Sequence, residues 1–493
     1  MHRIRFVLLT IIASGFSFVY SQQTVKLTLD QTIMLAADSS LEAFRSKNYY
    51  MARYWEYRTF KAGRLPSLTL NLSPGQYNRT LTKRYDSETY RQQQSYEAGG
   101  GLSISQNFDP LGGTFFINTN LNYLRTFGNN TSTQYNSVPA RIGYQQNLLG
   151  YNDFKWQKKI EPLKYEKAKK QLAYELEQIS QLAVNYFFRL AKAQEEYNLA
   201  IEKVRNSDAN YWAASERYKI AAISESDYLS LKLECLNASN SLDNAEISLK
   251  RDMFALASFL NLDKNTQINL TLPSYPKSME IAPDKALAEA RDNNPDLLGY
   301  QQNILENQRT VERTKMESMF NASLYASVGF NQVANTLPNV FNNLLRQDVV
   351  SLSISIPLVD WGVRKGRYNM AKNNLSVSEI SAHQGEIKIE ENVLMTVNDF
   401  NIQRKLISSA VETYELADAI YDKTQQRFLI GSGDINTLMR TQQNQMEARR
   451  NYISALERYW VSYFQIRSLT LFDFEYNMPI VNMIESKILI IRD

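Results

Sequence analysis

The sequence predicts a mixed α/β membrane protein built from two tandem structural repeats, each pairing membrane strands with a long antiparallel helical hairpin. Three observations carry this reading. The chain opens on an export signal and has no later apolar run of roughly 18 residues, so it has no membrane-spanning helix. Its strands alternate an apolar face with a small polar face. Its long helices recur at a fixed spacing.

The amino terminus reads MHRIRFVLLTIIASGFSFVYSQQ, with Arg3 and Arg5 ahead of the apolar run Phe6 to Val19. That run is too short to span a bilayer, and Ser21 offers a small residue before Gln22, so residues 1–21 are expected to be a signal peptide. The chain of 493 residues has 55 Lys+Arg and 51 Asp+Glu; losing Arg3 and Arg5 leaves 55 − 2 = 53 basic residues. A near-neutral chain offers no concentrated basic face for nucleic acid. Cys235 is the single cysteine, so no internal disulfide is expected, and no cysteine sits just after the signal to support a lipoprotein-type acyl anchor.

The two histidines are His2 and His383, and one mature histidine cannot build a multi-histidine metal site. His383 sits in SEISAHQGEIKIEE, a helix surface, where Glu390 and Glu391 read as solvated charges. No phosphate loop or nucleophile elbow is present. No catalytic, cofactor or metal residue is assigned, and a secreted enzyme has no motif to support it.

The repeat shows first in two polar turns. RYKIAAISESDYL (217–229) and RFLIGSGDINTLM (427–439) are offset by 427 − 217 = 210 residues. At that offset residues 200–263 match 410–473 without a gap, with twelve identical pairs in 64, among them Tyr211/Tyr421, Arg217/Arg427 and Ala238/Ala448. LTLDQTIMLAADSSL (27–41) also echoes IAPDKALAEARDNNPDL (281–297). The expected layout is a first repeat over 22–269, a proline-containing connector over 270–283, a second repeat over 284–473 and a tail over 474–493.

The helices are predicted to be long. Leu172, Leu176, Ile179, Ala183, Tyr186, Leu190, Ala193, Tyr197, Ala200 and Val204 step by four and three, a coiled-coil seam. No proline interrupts 163–272 or 358–478. Gly362 to Ile430 reads as one helix of roughly 100 Å at about 1.5 Å per residue. Its partner runs from about Ile435 to Phe472, and the polar turns near 221–227 and 431–437 become hairpin tips.

Six strands are expected, at 67–81, 96–108, 113–127, 137–148, 321–331 and 348–358. Leu68, Leu70 and Leu72 oppose Ser67, Thr69 and Asn71; Leu352, Ile354 and Ile356 oppose Ser351, Ser353 and Ser355. Leu324 and Val328 join the apolar set. A soluble half-buried sheet has the same period, as does an outer-membrane barrel with lipid outside and water inside. Tyr77, Tyr123, Phe127 and Tyr144 suit an aromatic girdle. Six strands fall short of a closed barrel, so a membrane barrel must be shared between chains.

These features together resemble the TolC family of outer membrane efflux proteins. The resemblance rests on the tandem repeat, the paired openings LTLDQTIMLA and IAPDKALAEA, LPSLTL before the first strand, the junction SLSISIPLVDWGVRKG and the two tips. It implies a homotrimer with one shared outer-membrane β-barrel, continued by a long antiparallel α-helical coiled-coil barrel in the periplasm of a Gram-negative bacterium. It implies docking to a periplasmic adaptor and an inner-membrane RND or ABC transporter. Arg217, Tyr218, Ala221, Ser224, Asp227, Arg427, Phe428, Gly431, Gly433 and Asp434 would form the adaptor-docking tips. Thr437 and Arg440 stand where some members carry an acidic entrance ring.

Two departures bear on the expectations. Ala221 replaces the tip glycine, which predicts a different first turn. The family plan has four strands per chain, so the hairpin 96–127 is expected outside the wall, as a rim or cap. An exit duct for type I protein secretion shares the architecture, and a periplasmic coiled-coil scaffold is the rival of another class.

Overall fold

The computed structural model describes residues 24–83, 90–128, 131–148, 150–274, 279–430 and 432–484. The signal peptide and the Gly431 tip position lie outside them. In chain order the elements are β1 (Thr24–Leu27), α1 (Leu29–Ser39), α2 (Leu41–Ala62), β2 (Ser67–Lys83), β3 (Tyr90–Phe108), β4 (Gly113–Phe127) and β5 (Ser132–Asn147). Then come α3 (Asp153–Lys219), α4 (Glu225–Phe259), β6 (Gln267–Leu270), α5 (Pro283–Asn293), α6 (Pro295–Glu317), β7 (Asn321–Ala334) and β8 (Leu345–Ser355). The chain ends through α7 (Val363–Leu429), α8 (Ile435–Thr470), β9 (Phe472–Asp473) and β10 (Met478–Pro479). No described helix is long and apolar enough to cross a membrane.

Helix starts follow local chemistry. Thr28 caps α1 in a reciprocal box: its hydroxyl accepts from Gln31 N at 3.3 Å, and its own N–H donates to Gln31 Oε1 at 3.0 Å. Pro283 and Pro295 open α5 and α6, where a missing N–H costs nothing. Asp360 caps the α7 entrance, accepting from Gly362 N at 3.0 Å and Arg364 N at 3.2 Å.

The recurrence is visible in the element boundaries. The starts of α3 and α7, their ends, and the starts of α4 and α8 differ by 363 − 153, 429 − 219 and 435 − 225, each 210. Asn261 and Leu471, separated by the same interval, both leave their helices in the left-handed region, at φ 56° and 48°. Before the helices the offset is larger. From α1 to α5 it is 283 − 29 = 254, and from β2 to β7 it is 321 − 67 = 254. The difference, 254 − 210 = 44, places an insertion in the first repeat between β2 and α3.

The chain divides into two compact units, each drawing on both repeats. The first comprises Met1–Phe44, Leu176–Glu280 and Asp399–Gln465. Its core gathers Leu27, Ala36, Ile179, Ala183, Leu190, Leu256 and Leu260 around the parallel pair β1–β6. The seam expected on α3 is there: Ile179, Ala183, Leu190, Ala193 and Ala200 are buried. So are Val184, Phe187 and Phe188, which lie off that seam and show α3 packed on more than one side.

The second unit comprises Arg45–Glu175, Ile281–Asn398 and Ile466–Asp493. It holds an antiparallel sheet in the order β2-β3-β4-β5-β7-β8. This corrects the expectation for the hairpin 96–127. That segment is β3–β4, and it pairs within the sheet between β2 and β5 rather than standing apart from it as a rim or cap. Most strands also run longer than their sequence pattern, because polar alternation continues past the apolar stretch. β4 keeps its expected bounds, and β8 is shifted to Leu345–Ser355, so Ile356 lies beyond the strand.

Candidate functional site: the hairpin tips and the two faces of the sheet

The tips are built from the first unit. At the first, α3 ends at Lys219 and α4 begins at Glu225, with Ser224 accepting from Asp227 N at 3.1 Å. At the second, Asp434 takes the equivalent place and accepts from Thr437 N at 2.9 Å and from the Thr437 hydroxyl at 3.0 Å. The Thr437 backbone and then its hydroxyl hold the Asp434 carboxyl below its ordinary range. A depressed carboxyl stabilises above its unfolded value, so this cap is present at neutral pH. It is expected to be lost only as pH falls through the depressed value, read as fraying at the start of α8 by amide exchange.

The described residues of the two turns have one closing hydrogen bond in common. Ala222 N donates to Arg217 O at 2.9 Å, and Ser432 N donates to Arg427 O at 3.0 Å, an equivalent bond in each repeat. Ala221 reaches this turn by adopting φ 57° itself. A side chain in that region costs about 1 kcal/mol or more. Ala221→Gly is therefore expected to stabilise the first tip by about 1 kcal/mol, read as slower amide exchange over 217–224.

An aromatic cluster supports each tip. Tyr218 stacks on Tyr228 at 4.8 Å between ring centroids, and the Tyr211 and Tyr228 hydroxyls lie 2.8 Å apart. The equivalent positions of the second repeat, Tyr421, Phe428 and Leu438, form the second cluster, and all three are buried. Burial pushes the Tyr421 hydroxyl up to about 12. Tyr211, Tyr228, Tyr421 and Leu438 are absent from the sequence-derived set. The signal is there in the sequence, since positions 211/218 and 421/428 stand seven apart on one helix face.

Phe428 departs from its expected role: at 4% exposure it anchors the tip and offers no docking surface. Arg217 ties the two tips together. Its Nη2 donates to Phe428 O at 3.1 Å, and its guanidinium lies 5.2 Å from the Phe428 ring centroid. Asn206 extends the tie, donating to the Tyr421 hydroxyl at 2.9 Å and accepting from Gln425 at 3.1 Å. Further along α3 and α8, Glu196 binds Arg450 through two contacts at 2.6 and 2.7 Å, and Lys192 pairs with Glu457. Tyr218, Ala221, Ser224, Arg427, Asp434 and Arg440 stay exposed, while Asp227, Gly433 and Thr437 are half-buried. Thr437 is occupied as the partner of Asp434.

The sheet in the second unit has two chemically distinct faces. Directly paired residues share a face. On one, Leu68 pairs with Ile104, Ile104 with Ile117, Ile117 with Ile142 and Ile142 with Val328. Leu70 with Leu102, Leu324 with Leu352 and Ala322 with Ile354 continue it. These side chains are apolar yet open: Leu68 is 67% exposed, Ile142 54% and Leu352 57%. Two aromatic rows border the face. Tyr96, Tyr123 and Tyr135 contact in series at 6.3 and 5.2 Å; Phe108, Phe115 and Tyr144 do so at 5.6 and 4.6 Å.

The opposite face is mostly polar, with Phe116 stacked on Tyr325 within it. Ser67 meets Ser105 with hydroxyls 2.7 Å apart, Ser103 donates to Asn118 at 2.7 Å, and Arg141 donates to Gln347 at 2.7 Å. Ser351, Ser353 and Ser355 belong to it.

A family described as outer membrane efflux protein matches residues 286–470, which cover most of the second repeat. No curated protein matches the chain by sequence. Solved structures match along nearly all of it. The CmeC outer membrane channel of Campylobacter jejuni is 14% identical with a TM-score of 0.65, over 90% of this chain and 85% of that one. A membrane protein from Pseudomonas aeruginosa is 14% identical with a TM-score of 0.65, over 91% of each. The outer membrane protein VceC of Vibrio cholerae is 13% identical with a TM-score of 0.58, over 90% of this chain and 95% of that one. At these identities the structures speak for the fold, and the family match speaks for the sequence of the second repeat. The second repeat is thus similar in sequence to the outer membrane efflux protein family, and the whole chain shares its fold with these outer membrane channels.

Proposed function

We propose that three copies of this chain form the outer membrane exit duct of a tripartite efflux system. Substrates reach it from an inner-membrane pump through a periplasmic adaptor and leave without chemical change. The observation that carries this reading is the sheet: an exposed apolar face bordered by aromatic rows, with small polar residues behind it. Apolar side chains left open on one whole face of a sheet are costly in water and suited to lipid. From Phe115 to Tyr123 the rows stand about 27 Å apart along β4, or about 21 Å along the membrane normal at a usual strand tilt. That is close to the height of a barrel's apolar band. At the junction into α7, Leu358, Val359 and Trp361 are also exposed, as interfacial anchors would be.

The helices favour sharing as well. On α7, Met370, Val377, Ile380 and Ile387 are each more than half exposed at heptad-like steps, a stripe that a neighbouring copy would cover. The tips supply the adaptor surface. A Cβ on Gly433 would lie 2.7 Å from Phe428 N and 2.8 Å from its Cα, so Gly433→Val must displace the turn. Transport by that variant is expected to fall about tenfold, equivalent to about 1.4 kcal/mol of docking, with membrane insertion unchanged.

The deciding experiment is single-channel recording of the detergent-solubilised protein in a planar bilayer, with its native mass measured in parallel. Discrete current steps from a trimer are expected. A water-soluble species that never inserts would end the duct reading and leave a periplasmic scaffold.

A further inference from the structure

We propose that the β3–β4 hairpin is an insertion that widens the barrel. Three copies close one wall of 3 × 6 = 18 strands, with β8 of each copy pairing antiparallel to β2 of the next. This rests on the trimeric duct proposed above and goes beyond it, because it assigns the interface between copies and the size of the pore.

The insertion is legible as arithmetic. The spacing between repeats shrinks from 321 − 67 = 254 at the sheet to 363 − 153 = 210 at the long helices, and β3 with β4 spans Tyr90–Phe127 within the surplus stretch of the first repeat. Without the hairpin, β2 and β5 would stand side by side as β7 and β8 do. The hairpin is built as wall. β3 pairs with β2 from Ser67↔Ser105 to Lys83↔Tyr90, and with β4 from Gln94↔Phe127 to Phe108↔Gly113. Leu102, Ile104, Phe115, Ile117 and Leu121 continue the apolar face, and both aromatic rows run through the hairpin.

Its short turn is also tied to the helical end of the sheet. Asp109 pairs with Arg64, Asn152 donates to Asp109 O at 2.8 Å, and Gln146 donates to Leu111 O at 2.9 Å. Arg64 precedes β2 and Asn152 precedes α3, so the turn sits among the strand–helix junctions. This is where a barrel of this kind keeps its short turns.

The edges then specify the partner. Six alternating strands leave β2 and β8 pointing in opposite directions, so the two edges meet as an antiparallel pair. Both alternate alike: Ser67, Thr69 and Asn71 share the polar face on β2, as Ser351, Ser353 and Ser355 do on β8. Joining them continues both faces around the ring. In lipid the free N–H and C=O groups of both edges must be paired, and a second copy of this chain supplies complementary ones. Eighteen strands at the usual spacing and tilt enclose about 36 Å between backbones, against about 24 Å for twelve.

The test is disulfide trapping in the outer membrane on a Cys235→Ser background. Asn71→Cys on β2 is combined with cysteines scanned along the polar face of β8 at Ser351, Ser353 and Ser355. End-on electron microscopy of the solubilised protein gives the barrel diameter. Reducible covalent dimers and trimers and a barrel of the eighteen-strand diameter are expected. An intrachain link between Asn71→Cys and Asn136→Cys would overturn the proposal, because β2 and β5 are separated here by two strands, beyond disulfide reach. A conducting trimer with no β2–β8 link, or with the twelve-strand diameter, would overturn it while leaving the duct reading intact. A dimer, or a water-soluble species that never inserts, would overturn both.

Discussion

Leu352→Arg is expected to abolish most of the assembled protein in the outer membrane, and Ser353→Arg is expected to leave assembly near normal. The two positions are neighbours on β8 and point to opposite faces. A cation on the lipid side of a barrel costs up to about 2–4 kcal/mol, and in the trimeric duct proposed above three copies meet that cost together. On the polar side the same cation is hydrated and changes only ion selectivity. Ile117→Arg, on the inserted hairpin, should behave like Leu352→Arg because it shares the apolar face through Ile104, Ile142 and Val328. The check is trimer yield from outer membranes on semi-native gels, beside conductance of whatever assembles. Equal yields from Leu352→Arg and Ser353→Arg would reverse the assignment of the faces.

Phe428→Ala is expected to open the second tip. Truncating a buried phenylalanine costs about 3–5 kcal/mol through lost burial and the cavity left behind. Phe428 is 4% exposed, and its carbonyl and ring both receive Arg217. The equivalent change in the first repeat, Tyr218→Ala, removes a ring that is 40% exposed and should cost far less. Limited proteolysis should cut Phe428→Ala between 427 and 438 much faster than Tyr218→Ala, while both insert normally. Transport should fall more for Phe428→Ala, through loss of the tip's shape rather than of a contact. Similar cleavage rates would mean that the two clusters contribute alike and that burial of Phe428 is not what holds the tip.

The two clusters also show how far a repeat can be read without coordinates. Tyr211/Tyr421 and Arg217/Arg427 are identical pairs, so the match of the two tips is available as text. The exposure of one cluster and the burial of the other is not, because Tyr218 and Phe428 are both aromatic and only their neighbours distinguish them. Ala221 misleads for a related reason. A non-glycine residue predicts avoidance of positive φ, yet Ala221 adopts φ 57° in the turn closed by the bond from Ala222 to Arg217.

The chain's local patterns by themselves determined the long helices, the caps at Ser224 and Asp434, the alternating strands and the two-fold recurrence, because each depends on residues close together in sequence or on a constant spacing. Only the tertiary structure decided that β3–β4 stands within the six-stranded sheet, that Phe428 is buried and that Arg217 joins the tips. Strand order is a choice among pairings that the same alternation satisfies equally well. Burial depends on what arrives from far along the chain, as Arg217 does at Phe428.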